Sequence, residues 1–189
     1  AEQGRVSGLV SQTSSNLNAT ANQISEAEAA ALAYEQQLKE QEAELSALRA
    51  KLAEEIRMAE LAAQSSWRDI SEVSFAEGDR YLLANLIYCE AGAEPYSGQV
   101  AVGSVVMNRV LSSVYPDTVT GVIYQSGQFS PVASGRLALA LAEGRATGSC
   151  YQAADEVMGG TTNVSNCVYF RTPVDGIEPK YRIGGHIFY

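Results

Sequence analysis

Glu90 is the residue whose placement most directly suggests chemistry. Leu83, Leu86 and Ile87 fall at i, i+3 and i+4, and Glu90 is the i+7 member of the same stripe. A carboxylate thus continues an apolar helix face. It also falls near the C-terminus of that helix, where the macrodipole disfavours negative charge. Desolvation and the dipole both push its pKa upward. A carboxylic acid that stays protonated near neutral pH suits the protonation of a glycosidic leaving oxygen. The competing reading is an ordinary helix-end glutamate turned to solvent. Glu94, four residues on, is a candidate second carboxylate. However, Gly92 and Pro95 break the helix between them, so the two need not share a face. A structural role for Glu94, accepting backbone amides of the turn, is favoured.

Other chemistries find less support. His186 is the only histidine, and the three cysteines, Cys89, Cys150 and Cys167, form no C-x-x-C chelate. No metal site and no cofactor are therefore expected. No G-x-S-x-G elbow is present. A Cys89–His186 peptidase pair would place its thiolate near a helix C-terminus, where it is disfavoured. Cys150 and Cys167 flank an expected helix, and a disulfide between them is possible in an oxidising compartment.

The elements that position Glu90 follow from local signals. Ser74 with Glu77 three residues later reads as a capping box, so a helix is expected over 75–91. Ser97 caps a second helix to about Val110, valine-rich but too long for a strand. Residues 118–131 read as turns and short strands. Helices are expected near 133–142 and 150–158, a strand over 167–171, and an extended end over 183–189.

Upstream, the composition changes near Trp67. Residues 1–75 hold one Tyr, no Pro, and six basic against twelve acidic side chains. The remainder holds nine Tyr, all five Pro, and seven basic against ten acidic residues. The first part carries a heptad. Leu17, Ile24, Ala31, Leu38, Leu45, Leu52 and Ala59 occupy one position. Thr20, Ala27, Tyr34, Gln41, Leu48, Glu55 and Ala62 occupy its partner. Such spacing reads as a coiled-coil helix, with a frayed start at Gly4 and Gly8. One amphipathic helix cannot bury its own stripe. A second copy, another envelope protein, or the chain's own second part must cover it. Two regions are expected: a helical arm over 1–70 and a globular domain over 71–189.

The net charge of −9 in 189 residues argues against nucleic acid and against an anionic membrane surface. No apolar run is long enough to span a bilayer. The chain opens on Ala1 without a signal-like segment, which fits either a removed leader or an excised piece.

The stretch from Tyr88-Cys89-Glu90-Ala91-Gly92-Ala93-Glu94-Pro95-Tyr96-Ser97-Gly98-Gln99 through Asn108-Arg109-Val110 resembles the SleB-type, spore cortex-lytic cell-wall hydrolase family. Three further blocks agree in order. They are Gly121-Val122-Ile123-Tyr124 with Gly127-Gln128-Phe129-Ser130, then Val168-Tyr169-Phe170, then Ile183-Gly184-Gly185-His186-Ile187-Phe188. The resemblance implies a mainly α (α+β), lysozyme-like catalytic domain with Glu90 as its acid/base. It implies a secreted or envelope enzyme, acting on peptidoglycan glycan strands between N-acetylmuramic acid and N-acetylglucosamine. A lytic transglycosylase needs only one carboxyl group, which suits the absence of a firm second one. Gln128, Phe129, Tyr169 and His186 match family positions. With Tyr96 they are groove-lining candidates. Gly92-Ala93 departs from the family, where an Arg-Gly pair is common. The alternatives are a stem-peptide amidase or peptidase, and a non-catalytic glycan-binding envelope protein.

Overall fold

The computed structural model describes residues 2–189. Its Cα packing divides the chain into a first unit ending at Ala53 and a second running Glu54–Tyr189. The division falls inside a single helix, α1 (Glu2–Gln64), rather than at the composition change near Trp67.

The first unit is α1 as far as Ala53. Gly4 and Gly8 lie within the helix, so the frayed start expected there is not observed. Ala, Leu, Glu and Gln dominate this helix and outweigh the cost of two glycines. Every described residue up to Lys51 is exposed, including Leu17, Ile24, Leu38, Leu45 and Leu48 of the heptad.

The second unit begins with the last turns of α1. Here Ala62 is fully buried, and Met58 and Ala59 pack against the core. Glu55 accepts hydrogen bonds from Tyr189 Oη at 2.9 Å and Arg171 Nη1 at 3.2 Å. The chain then leaves the helix in extended form. The Trp67 indole donates to the Ala62 carbonyl, and the Arg68 amide donates to Leu111 O.

A three-helix core follows: α2 (Asp79–Ala91), α3 (Tyr96–Leu111) and α7 (Gly148–Met158). α3 is buried from Gly98 to Val110, so its valines sit in a helix inside the core and not in a strand. Gly103 permits the close approach. A Cβ there would meet Ile87 Cδ1 of α2 and Val157 Cγ2 of α7, both at 3.1 Å.

α2 starts at Asp79, not at Phe75. The Ser74–Glu77 capping box does not form. Instead the buried Asp79 carboxylate accepts the Ala76 amide at 2.8 Å and the Thr120 hydroxyl at 3.2 Å. Ser97 likewise does not cap α3, which begins at Tyr96 after Pro95.

Residues 118–131, expected as turns and strands, hold two short helices, α4 (Val119–Ile123) and α5 (Ser130–Ala133). Thr118 caps α4 by accepting the Gly121 amide. α6 (Arg136–Glu143) packs against α2. The chain ends in a small antiparallel sheet ordered β1 (Phe170–Arg171), β3 (His186–Phe188), β2 (Tyr181–Ile183). Phe170 pairs with Phe188, which also pairs with Tyr181.

Cys150 and Cys167 are free, buried thiols, so the disulfide considered from their spacing is not formed. Cys150 lies inside α7 and receives a hydrogen bond from Thr147 Oγ1 at 3.1 Å. Burial pushes the Cys167 thiol up to about 11. Each sulfur is satisfied or packed where it stands, and neither needs the other.

Candidate active site

The stripe that sets Glu90 is realised as the sequence suggests. Leu83, Leu86 and Ile87 are fully buried, and Glu90 continues their face one residue before the end of α2. It is half-buried on the wall of an open cleft of about 520 Å³. Tyr88, Cys89, Gly92 and Ala93 form one side. Arg136, Leu139 and Ala140 of α6, with Arg145, form the other. Burial raises the Glu90 carboxyl above its ordinary range, and the Arg136 guanidinium partly offsets this. The upward push wins, so proton retention extends to higher pH than for an exposed glutamate.

Cys89 lines the same cleft. Its thiol faces the Arg136 carbonyl at 3.8 Å, and burial pushes its pKa up. That is the opposite of what a nucleophilic thiolate requires. His186 has a different neighbourhood, so the two do not form a pair.

Glu94 lies on the turn between α2 and α3. Its Oε2 accepts the Gly185 amide at 2.8 Å, and its Oε1 lies 3.8 Å from His186 Nδ1. Glu94 thus ties this turn to the β2–β3 hairpin. The structural role expected for it holds, although the amide comes from 91 residues away and not from its own turn. His186 packs edge-on against Phe170 at 5.4 Å between ring centroids.

The other groove candidates sit elsewhere. Phe129 and Tyr169 are buried and enclose the guanidinium of Arg109, at 5.2 and 4.7 Å from ring centroid to Cζ. Tyr115 closes the cage at 5.3 Å. Arg109 is itself buried, and its Nε donates to Val168 O at 2.6 Å. This is an aromatic core around an arginine, with Phe129 and Tyr169 as its walls. Tyr96 donates its hydroxyl to Glu156 at 2.8 Å. Gln128 is half-buried in the turn whose Gly127 has φ 75°. None of Gln128, Phe129, Tyr169, His186 and Tyr96 lines the Glu90 cleft.

Sequence reasoning missed Arg136, Arg145, Tyr88 and Leu139 as cleft residues. Arg136 and Leu139 come from a helix 46 residues or more along the chain from Glu90, and only the α2–α6 packing brings them near. No sequence signal marked them: the helix expected over 133–142 starts at Arg136 only in the structure.

Known proteins of this shape and sequence agree with the helical frame. The Spore cortex-lytic enzyme of Bacillus cereus is 35% identical over 122 residues, covering 60% of this chain and 45% of that protein. The enzyme of the same name from Bacillus subtilis (strain 168) is 33% identical over 121 residues, covering 60% of this chain and 38% of its own. This chain therefore spans less than half the length of those relatives. Among solved structures, the catalytic domain of the Bacillus cereus SleB protein superposes with a TM-score of 0.51 at 34% identity. The match covers 61% of this chain and 91% of that one. The catalytic domain of the germination-specific lytic transglycosylase SleB from Bacillus anthracis gives the same TM-score at 33% identity, over 61% and 96%. The globular part is thus mainly helical and lysozyme-like. The Cell Wall Hydrolase family matches residues 93–189. By that match over more than half its length, this chain belongs to the Cell Wall Hydrolase family.

Proposed function

We propose that this protein cleaves the glycan strands of peptidoglycan at the bond between N-acetylmuramic acid and N-acetylglucosamine, as a lytic transglycosylase with Glu90 as its single catalytic carboxyl. The carrying observation is Glu90 itself: a half-buried acid with a raised pKa on the wall of an open cleft. The family match begins three residues beyond it, at Ala93, so its role rests on this geometry and on the resemblance of 88–110.

The reaction follows from one acid. Protonated Glu90 donates its proton to the bridging oxygen as the muramic C1–O bond breaks. The departing N-acetylglucosamine leaves with a free 4-hydroxyl. The muramic C6 hydroxyl then bonds to C1 and closes a 1,6-anhydro ring, and its proton returns to the Glu90 carboxylate. Glu90 ends as it began, and no water is consumed. Glu94 supports this one-carboxyl reading because its oxygens already serve Gly185 and face His186. An inverting or retaining hydrolase would want a second free carboxylate across the bond.

A secreted or envelope location fits a peptidoglycan substrate. The arm pairs along its exposed stripe with a second helix and so tethers or regulates the enzyme. With Leu17 at a, the e positions carry Glu28, Glu35 and Glu42. In a parallel pair of identical chains these face Gln23, Ala30 and Gln37 at g, and Glu44 faces Arg49 of the second copy. An antiparallel pair would set the e glutamates against one another. The charges therefore favour a second copy in parallel.

The test is mass spectrometry of products from purified peptidoglycan with the native protein and Glu90→Gln. Muropeptides ending in 1,6-anhydro-muramic acid, lost in the variant, are expected. Reducing ends would replace ring closure by hydrolysis. Intact glycan with freed stem peptides would overturn the role of Glu90.

A further inference from the structure

The cleft around Glu90 carries more basic than acidic side chains, unlike the molecule as a whole. The chain carries a net charge of −9, yet the charged side chains lining this cleft are Glu90, Arg136 and Arg145. Glu90 is held toward its neutral form by burial. Arg145 is bonded to Glu143 at 2.6 Å and is largely neutralised locally. Arg136 differs. Among the described residues no carboxylate forms a salt bridge with it, although acidic side chains outnumber basic ones by twenty-two to thirteen.

Its position adds to this. Arg136 is the first residue of α6, behind Gly135, which offers no side-chain cap, and no acid occupies the first turn. A cation there opposes the helix macrodipole, and the first amides of the helix lack a side-chain acceptor. Arg136 is an exposed side chain on the wall of the Glu90 cleft, where a ligand lying against Glu90 comes within its reach. Its planar fork matches a carboxylate.

We propose that Arg136 is a specificity-determining residue that binds an anionic carboxylate of the substrate, such as one carried by a stem peptide beside the scissile bond. This rests on the glycan-cleaving reading above and names the chemistry of the strand it takes. Strands whose carboxylates have been neutralised would be poorer substrates, through weaker binding rather than slower bond cleavage. The cationic wall also concentrates an anionic polymer in a cleft that the acidic surface would otherwise repel.

The test compares native peptidoglycan with peptidoglycan whose carboxylates have been capped as methylamides by carbodiimide coupling. The full chain is used as wild type, Arg136→Gln, Arg136→Lys and Arg182→Gln. Arg182 is exposed on β2, outside the cleft, and controls for general charge. Two readouts are taken: initial release of soluble muropeptides at low substrate, and cosedimentation with the insoluble wall. Wild type should favour the native wall by on the order of tenfold, the worth of one charge-assisted hydrogen bond. Arg136→Gln should bring that ratio near one by lowering activity on the native wall only. Arg136→Lys should keep most of it, and Arg182→Gln all of it. Equal rates of wild type on both walls, or an unchanged ratio in Arg136→Gln with an unchanged melting temperature, would overturn the proposal. So would the same loss in Arg182→Gln. Charge-dependent cosedimentation through Arg136 without glycan cleavage would sustain the recognition and sink the catalytic reading instead.

Discussion

Glu94 and Gly184 are fitted so closely that a Cβ on Gly184 would lie 2.0 Å from the Glu94 carboxylate oxygen Oε2. Gly184 also has φ 57°, which L side chains rarely adopt. The same carboxylate oxygen accepts the Gly185 amide. The β2–β3 turn is therefore held to the segment immediately after α2 by a contact that a Cβ at Gly184 would force to shift. Gly184→Ala should destabilise the protein by roughly 2–4 kcal/mol, combining a left-handed residue with a steric clash. Gly127→Ala is the control: its φ is 75° but no atom lies within 4 Å of its Cβ. It should cost about 1 kcal/mol, the backbone term alone. Thermal melts of the two variants decide the matter. Equal losses would mean that the Glu94 contact adds nothing.

The pH behaviour of Glu90 has a determined sign. Burial raises its folded pKa above the unfolded value, with Arg136 acting in the other direction. A raised carboxyl pKa means that the folded state holds the proton longer than the unfolded state. Stability from this group is therefore fully present below the unfolded pKa and is lost as pH rises through the folded one. Glu90→Gln cannot ionise and escapes that loss. The variant should match wild type in melting temperature at pH 4 and exceed it at pH 8, while its cleavage rate drops by about 100-fold or more. Activity should decline on the alkaline side as Glu90 ionises. Arg136→Gln removes the opposing charge and should move that decline to higher pH. A shift to lower pH would show that the two groups do not interact as placed.

Much of the frame around Glu90 was legible from spacing. The Leu83–Leu86–Ile87 stripe, the stop at Gly92 and Pro95, and the long valine-rich helix all depend on local periodicity and propensity, which a short stretch of sequence contains. The start of α2 did not. Ser74 and Glu77 offered a cap, but Asp79 takes the Ala76 amide and is held in turn by Thr120, 41 residues away. The helices α4 and α5 are too short to be fixed by propensity and owe their existence to what they pack against. Phe129 and Tyr169 looked like groove aromatics because family position says nothing of burial. Only the fold puts Arg109 between them. The cleft opposite Glu90 was invisible for the same reason: Arg136 and Leu139 reach it through helix packing and not through any motif.

Glu55 lies at the start of the second compact unit. It bonds Arg171 and Tyr189 from the part of α1 that packs on the core, and Ala62 is buried seven residues on. A fragment beginning at Ser71, close to the change in composition, loses all of this along with Trp67. A fragment beginning at Glu54 keeps it. The shorter one should be less stable by several kcal/mol, since it uncovers apolar core at about 25 cal/mol per Å² and leaves Arg171 unpaired. Within the full chain, Glu55→Ala alone should cost about 1–2 kcal/mol. Urea titration of both fragments provides the comparison. Equal midpoints would place the boundary after α1 rather than within it.

The arm offers the last test. Leu38 and Leu45 sit at consecutive positions of the wholly apolar heptad series and are 56% and 47% exposed in the single chain. An unpartnered helix of this kind has little to hold it together beyond propensity. Its helicity should therefore depend on protein concentration, and sedimentation equilibrium of the full chain should give a dimer. The fragment beginning at Glu54 should sediment as a monomer. Leu38→Lys together with Leu45→Lys places two like charges in the seam of a parallel pair and should return the full chain to a monomer. It should leave the melting of the globular unit unchanged, because neither residue belongs to it. Leu17→Cys should crosslink between the two copies under oxidation if the pair is parallel and in register, since the two a positions then face each other. A monomer at every concentration would show that the stripe serves a different helix, and a dimer that fails to crosslink would reject the parallel register that Glu28, Glu35 and Glu42 favour.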